Sequence, residues 1–183
     1  MSRRAPARQQ AHVNLLAAVR PASLHSMRAK DQTGAETRTC LVHLANEGEF
    51  KGYGEGKSFD FNTSAFSQAV ENSRRLGRPV KFTYEHPSGE VYKRGLPVPS
   101  SGAIHELRMV KCAQHGGRLE LWGLTTFTPM AAEYIKADEY SYCSIVFTMA
   151  YRDPRTGEEA GMHIAEVGLT DSPFMPDQHA IEL

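Results

Sequence analysis

A histidine and a serine stand out because each lies where catalytic side chains are often found. His86 follows the alternating run Val80–Tyr84, at the start of a loop that contains Pro87 and Gly89. Loops carried on rigid strands commonly hold catalytic groups, although an ordinary surface histidine also suits this position. Ser144 lies inside an otherwise apolar run. Its hydroxyl therefore needs a hydrogen-bond partner, which is either the backbone or an imidazole.

A serine paired with an imidazole would have the chemistry of a serine hydrolase. The serine hydroxyl ionises far above neutral pH, so it needs a neighbouring base to become a nucleophile. A third polar group then fixes the orientation of the imidazole. Glu166, His163 and Asp171 are the candidates for this role, all near the last apolar run. Alternation along a strand places His163 and Glu166 on opposite faces, so we expect only one of them to face His86.

Thiols and other histidines offer two further kinds of site. Cys143 adjoins Ser144, and neighbouring strand residues point to opposite faces, so we expect Cys143 in the core. The 3 cysteines show no CxxC spacing, and the 8 histidines show no HxxxH or HExxH spacing. We therefore predict no disulfide framework, no bound metal and no other cofactor. Unpaired thiols fit a reducing cytoplasm.

The composition is that of a globular protein without a strong attraction to nucleic acid or membranes. Hydrophobic residues make up 40% of the 183 residues, and charged residues make up 23%. The 21 Lys and Arg balance the 21 Asp and Glu, so the net charge gives no pull towards nucleic acid or lipid headgroups. No apolar run reaches the roughly 18 residues of a membrane span, and we identify no export signal.

The residue pattern predicts a mainly β (α+β) domain at residues 39–183, preceded by a basic arm at residues 1–38. The arm scatters Arg and Lys among small polar residues, which is typical of a flexible segment or of a docking arm for an acidic partner. Strands are predicted over 40–45, 80–84, 103–110, 119–126, 140–150 and 163–170. Helices are predicted over 62–77 and 130–137, a loop or hairpin over 48–56, and a loop over 87–99.

Several short segments together carry a family resemblance over about residues 45–176. They are Gly48–Gly52, Phe82–His86, Ser101–Ile104, Leu121–Thr125, Glu139–Phe147 and Leu169–Pro173. In this order they resemble segments of the Mu-like phage protease family, the Mu-like prophage I protein. That family is related to phage prohead proteases and, more distantly, to the herpesvirus capsid assembly protease.

The resemblance implies a closed β-barrel of the prohead and herpesvirus protease type, with a few short helices around it. It also implies Ser144 as the nucleophile and His86 as the general base. The segment Ala165–Gly168 resembles the acid-bearing segment of prohead proteases, which favours Glu166 as the orienting residue. In such a site we expect the Ser144 oxygen within roughly 3.5 Å of an imidazole nitrogen of His86.

The function that the resemblance implies is that of a serine endopeptidase of prohead maturation. Its expected location is the host cytoplasm, inside assembling proheads, and its expected partners are the phage scaffold protein and the major capsid protein. Self-cleavage and self-association are compatible with this role. Many relatives carry a scaffold extension after the protease domain, so we expect the scaffold of this system to be a separate protein or to lie outside the sequence that ends at Leu183.

Two other functions stay open. The first is a non-catalytic capsid- or scaffold-binding β-barrel that descends from such a protease. The second is an unrelated β-rich enzyme or binding module. Labelling with a fluorophosphonate would separate the first alternative from a working protease, and detection of a tightly bound metal or nucleotide would favour the second.

Overall fold

The structure, a computed structural model, describes residues 27–30, 36–53, 57–87 and 89–183. Its strands are β1 (Met27–Lys30), β2 (Glu36–Asn46), β3 (Gly48–Tyr53), β4 (Lys57–Phe61), β5 (Val80–Tyr84), β6 (Ser100–Cys112), β7 (Arg118–Phe127), β8 (Tyr142–Arg152) and β9 (Glu159–Thr170). Its helices are α1 (Thr63–Leu76), α2 (Gly89–Lys93) and α3 (Pro129–Lys136), with a 3₁₀ turn at Ala113–His115. No described helix is long and apolar enough to cross a membrane.

The strands form one mixed sheet and one separate hairpin. The 7-stranded sheet has the order β1-β2-β7-β6-β5-β9-β8, and β3 pairs with β4 alone. Within the large sheet, β5 and β9 run parallel, whereas the other neighbours pair antiparallel. Parallel strands end at the same edge of a sheet. The residues that follow β5 therefore lie beside the last residues of β9.

The sheet does not close into a barrel, so the expected closed β-barrel is wrong, whereas the expected mainly β content is confirmed. Across the described part of the chain, β1 and β8 are the edge strands, and no pairing joins them. A barrel requires every strand to be hydrogen-bonded on both sides. Instead, β8 packs against β2, with Cys143 Sγ at 3.1 Å from the carbonyl oxygen of His43. Side chains from β4 and α1, among them Phe61 and Phe66, join the strands in the core.

Most predicted elements are present, but two differ from the expectation. Helix α2 lies inside the segment 87–99, which was predicted to be a loop. Strand β1 lies inside the predicted basic arm, and β2 begins at Glu36, so the boundary predicted at residue 38 falls within a strand. The rest of that arm, residues 1–26 and 31–35, lies outside the described residues.

Helix α1 packs on the sheet through its apolar face and one buried amide. Asn62 begins the helix, because its side-chain oxygen accepts the Ala65 N–H at 3.0 Å. Asn72, only 3% exposed, donates to the carbonyl oxygens of Ala160 and Met162, each at 2.8 Å. These bonds fix α1 to the first half of β9. The buried face consists of Ala65, Phe66, Ala69, Val70 and Asn72.

A candidate active site around Gly168

His86 lies two residues beyond β5, where the chain turns across β9. Glu85 donates its backbone N–H to the Leu169 carbonyl at 2.9 Å. Its φ of 51° lies in the left-handed region that residues other than glycine seldom adopt. The Thr83 hydroxyl lies 2.8 Å from the Glu85 carbonyl oxygen. These contacts fix the backbone that carries the His86 imidazole, whose side chain is 35% exposed.

Gly168 on β9 makes room for this turn. A Cβ atom built at Gly168 would lie 2.6 Å from the Glu85 carbonyl oxygen and 3.1 Å from His86 Cε1. The first distance is shorter than real contacts of this kind, and interiors are packed without slack to absorb it. The ring of His86 therefore lies over Gly168, at the place where any other residue would project its side chain.

Ser144 lies on β8 directly opposite Gly168. Opposed residues of an antiparallel pair project to the same face, with Cβ positions about 4.5–5.5 Å apart. The Ser144 side chain and the His86 ring are therefore neighbours above Gly168. No hydrogen bond between Ser144 and His86 is present among the contacts of the described residues. The expected approach of the serine oxygen to an imidazole nitrogen stays a prediction.

Glu166 lies two residues before Gly168 and faces the same side of β9. Its Oε1 is 3.8 Å from His86 Nδ1, and its side chain is 16% exposed. The Thr83 hydroxyl lies 3.1 Å from the same oxygen, and the Tyr92 hydroxyl donates to Oε2 at 2.6 Å. The bond to Glu166 raises the pKa of Tyr92. Sheet and helix α2 thus hold the carboxylate beside the imidazole.

The two other candidates for the orienting role make contacts of a different kind. His163 lies against Tyr151, with ring centroids 4.4 Å apart. Burial, with a smaller effect of the Arg78 charge, lowers the pKa of His163. Asp171 Oδ1 accepts the Ser141 N–H at 2.9 Å, just before β8 begins. Of the three candidates, Glu166 is the one that the structure brings next to His86.

The expectation that His163 and Glu166 point to opposite faces is wrong. The pairing of β8 with β9 shifts between Val146 and Phe147, where the partner changes from Glu166 to Ile164. One residue of β9 is therefore extra, and it interrupts the alternation. The side chains of Ile164 and Val167 are consequently both buried although they are three residues apart, and His163 and Glu166 both lie on the other side of the strand.

Cys143 is buried, as predicted, with 1% exposure. Its thiol donates to the His43 carbonyl oxygen at 3.1 Å. Burial raises its pKa, so the thiol stays protonated at neutral pH. Cys143 and Ser144 thus face opposite sides of β8, and only the serine faces the imidazole.

An apolar depression adjoins Ser144 on the surface. It lies between the β3–β4 hairpin, β8 and the segment that follows β9. Phe174 at its rim is 41% exposed, and Phe59 and Phe147 meet edge to face with centroids 4.8 Å apart. The depression is lined by Phe59, Ser144, Ile145, Phe147, Phe174 and Met175. Apart from the Ser144 hydroxyl, the side chains of this lining are apolar.

A family model described as Mu-like prophage I protein, N-terminal domain, matches residues 42–182. The chain belongs to this family. No curated protein and no solved structure matches it. The phage association predicted from the sequence motifs is therefore confirmed.

In this Mu-like domain, sequence reasoning missed three residues that shape the candidate site. Gly168 interrupts an apolar strand, a position that often marks a close approach of another backbone, so its signal was present. Thr83 was visible only as an alternating strand residue. Tyr92 gave no usable signal, because its segment was predicted to be a loop and the partner lies 74 residues away.

Proposed function

We propose that this Mu-like domain is a serine endopeptidase of prohead maturation. In this proposal Ser144 is the nucleophile, His86 is the general base and Glu166 is the orienting acid. The observation that carries the proposal is the arrangement around Gly168, with Ser144 opposite it, the His86 ring above it and Glu166 Oε1 at 3.8 Å from His86 Nδ1. The three groups come from three separate segments, which are β8, β9 and the turn after β5. Purely structural roles would not require these groups to meet.

In this proposal each imidazole nitrogen of His86 has its own role. Because Nδ1 faces Glu166, Nε2 is the nitrogen available to Ser144. It takes the hydroxyl proton as the Ser144 oxygen attacks a peptide carbonyl, and it then gives the proton to the leaving amine. Water releases the acyl group through the same base. An approach of about 1 Å would complete the bond between Glu166 and His86, and such tightening on substrate binding is common.

The proposed substrates are the phage scaffold protein and the major capsid protein. Family membership supports the phage setting, and the proposed place of action is the assembling prohead in the host cytoplasm. In this proposal, an apolar side chain next to the scissile bond lies against the apolar surface beside Ser144.

Processing of the natural substrates tests this function. The domain is produced together with scaffold and major capsid protein, and the products are identified by mass spectrometry. We expect cleavage with the unaltered chain and none with Ser144→Ala. Ser141→Ala serves as the matched control, because the contacts of Ser141 are made by its backbone. Scaffold cleavage by Ser144→Ala would remove Ser144 from the role of nucleophile.

A non-catalytic capsid- or scaffold-binding role is the alternative that one observation favours. Ser144 and His86 are neighbours without a hydrogen bond in the described structure. A fluorophosphonate separates the two functions, because it reacts with an activated serine. A stable adduct on Ser144 supports the protease, whereas scaffold binding without any adduct supports the binding role.

A further inference from the structure

Away from the candidate site around Gly168, four side chains of types that commonly bind metals lie close together. Cys112 ends β6, His115 lies in the 3₁₀ turn, Glu120 lies on β7, and His179 comes from the segment after β9. Each offers one ligand atom, and these atoms all lie within 4.8 Å of one another. No regular sequence spacing marks this cluster. His179 lies 59 residues beyond Glu120, and the fold brings it to the β6–β7 hairpin.

Glu120 is the centre of this cluster, and its side chain is fully buried. Its Oε1 lies 2.7 Å from His115 Nδ1 and 3.4 Å from His179 Nε2. Ligand bonds of about 2.0–2.3 Å in a tetrahedron place neighbouring ligand atoms about 3.3–3.8 Å apart. The first separation is shorter than this range and the second lies within it, while all four ligand atoms lie within 4.8 Å of one another. Side-chain shifts of about an ångström would therefore produce the tetrahedron.

The surroundings of the cluster supply what a metal site needs. Trp122 Nε1–H donates to Glu120 Oε2 at 2.9 Å, which orients the carboxylate and leaves Oε1 for a ligand bond. His43, 2% exposed, lies edge-on against His179 with centroids 4.9 Å apart. Its Nε2 is buried without a hydrogen-bond partner among the described residues. Cys112 and Glu120 are thus buried, His115 and His179 are partly buried, and Trp122 and His43 pack beside them.

The buried carboxylate also needs a positive charge. A buried ionised group is costly unless it is paired. Across the described ranges, the ion pairs of Glu120 are made with His115 and His179, and an imidazole supplies charge only when protonated. A divalent cation would neutralise the carboxylate while both imidazoles bind it in their neutral form.

We infer that Cys112, His115, Glu120 and His179 form a zinc site. A thiolate, two imidazoles and a carboxylate are a donor set that suits Zn²⁺, which is bound by sulfur, nitrogen and oxygen ligands in a tetrahedron. Four protein ligands leave no open position for a substrate, so the site is structural.

The metal fastens the C-terminal segment to the β6–β7 hairpin. Hydrogen bonds already hold this segment on β2, through His179 N–H to His43 Nδ1 at 3.3 Å. Two residues later, the Ile181 N–H donates to the Ser141 carbonyl at 2.8 Å. Ser141 lies immediately before the residue that begins β8, the strand that carries Ser144. The site therefore stabilises the edge of the domain at which β8 begins, whether or not the domain is a protease.

Metal binding by the full chain tests the inference. After dialysis against a chelator, ZnCl₂ is titrated by calorimetry, and CoCl₂ is added separately to record the absorption of a thiolate-bound cobalt. We expect one metal per chain, a thiolate–cobalt band, and a melting temperature that rises with zinc concentration. In Cys112→Ser we expect the cobalt band to disappear. In His179→Gln we expect the zinc Kd to rise at least about 100-fold, because loss of a ligand should cost no less than the largest effects of changes in the residues around a metal site.

Matched substitutions outside the cluster separate ligand loss from general damage. Cys40→Ala removes another buried thiol, and His105→Gln removes a surface imidazole, and we expect both variants to bind zinc as the unaltered chain does. Circular dichroism checks the fold of every variant, and His115→Gln replaces any ligand variant that does not fold. Zinc affinity unchanged by the ligand variants, or a cobalt spectrum without the thiolate band, would overturn the site.

Discussion

Glu166 is the residue whose contacts lead most directly to a kinetic prediction. A glutamine at this position keeps the size of the side chain but removes the charge that would stabilise the imidazolium of His86. We expect Glu166→Gln to lower kcat by up to about 10⁴-fold with a small change in KM, as for other orienting acids. Steady-state cleavage of a scaffold peptide measures both constants.

The control for this change lies on the same strand. Glu159 is an exposed acid at the start of β9, so Glu159→Gln loses the same charge without contact with His86. Its turnover should match that of the unaltered chain. Near-normal turnover in Glu166→Gln would instead return the orienting role to His163 or Asp171.

From the sequence, single residues could be predicted only where the residue type itself suggests a chemical role. His86 and Ser144 became candidates through their unusual positions, and a short motif favoured Glu166 among the three candidates for the orienting role; their catalytic roles stay predictions. The residues that position these candidates were harder to predict. A hydroxyl such as that of Thr83 or Tyr92 acquires its role only from a partner far along the chain. The four proposed zinc ligands were missed for the same reason, since no regular spacing connects Glu120 with His179.

At the scale of elements, the parallel pairing of β5 with β9 allows a test of the turn that carries His86. In Gly168→Ala, the added methyl group would lie 2.6 Å from the Glu85 carbonyl oxygen, so the turn must move away from the strand. We expect a loss of about 1–3 kcal/mol in the free energy of unfolding, as for other overpacked sites. We also expect turnover to fall about 100-fold, because displacement of a catalytic group by about 1 Å has that effect.

A second glycine separates the local clash from the general cost of the substitution. Gly157, in the turn between β8 and β9, has a φ of 73° and no atom within 4 Å of a built Cβ. Gly157→Ala should therefore cost about 1–2 kcal/mol of backbone strain while turnover stays unchanged. Full turnover in Gly168→Ala would show that the position of His86 does not depend on the glycine. Urea unfolding and peptide cleavage are measured on both variants.

Elements were predicted well where periodicity is local and poorly where it is not. Helix α1 and the β6–β7 hairpin follow from caps, alternation and turn residues within a few positions. Helix α2 has 5 residues, too few for a periodic pattern to be recognised. The alternation of β9 fails at Ala165 because the extra residue is defined by its pairing with β8, which the sequence of β9 alone does not contain.

For the whole molecule, the main error was the closed barrel. Alternating strands indicate which faces are buried, but closure depends on whether the first and last strands of the sheet pair. That pairing joins residues far apart in sequence, and here β8 packs against β2 while α1 and the β3–β4 hairpin cover the core. Long-range contacts therefore decide the architecture, and the same contacts bury several titratable groups whose protons affect stability.

The dependence of global stability on pH follows from one of those groups. Burial lowers the pKa of His43 from 6.5 to about 4, with the Glu120 charge opposing the shift. Between these values the unfolded chain binds a proton that the folded chain does not. Stability is therefore lost as the pH falls from about 6.5 towards 4, and the loss between pH 7 and pH 5 should be about 2 kcal/mol. Urea unfolding with EDTA present measures it without a contribution from metal binding.

The variant His43→Gln isolates this contribution from those of other groups. His163, whose pKa burial also lowers, contributes in the same direction and is unchanged in the variant. Burial raises the pKa of Glu120, but the bonds from His115 and Trp122 outweigh this effect and lower its pKa overall below 4.5. Glu120 therefore stays ionised in the folded protein at pH 5. Whatever its stability at pH 7, His43→Gln should lose about 2 kcal/mol less than the unaltered chain between pH 7 and pH 5. His105→Gln, at an exposed position, should retain the full loss. Equal losses in His43→Gln and the unaltered chain would mean that the buried imidazole is not the group that destabilises the fold in acid.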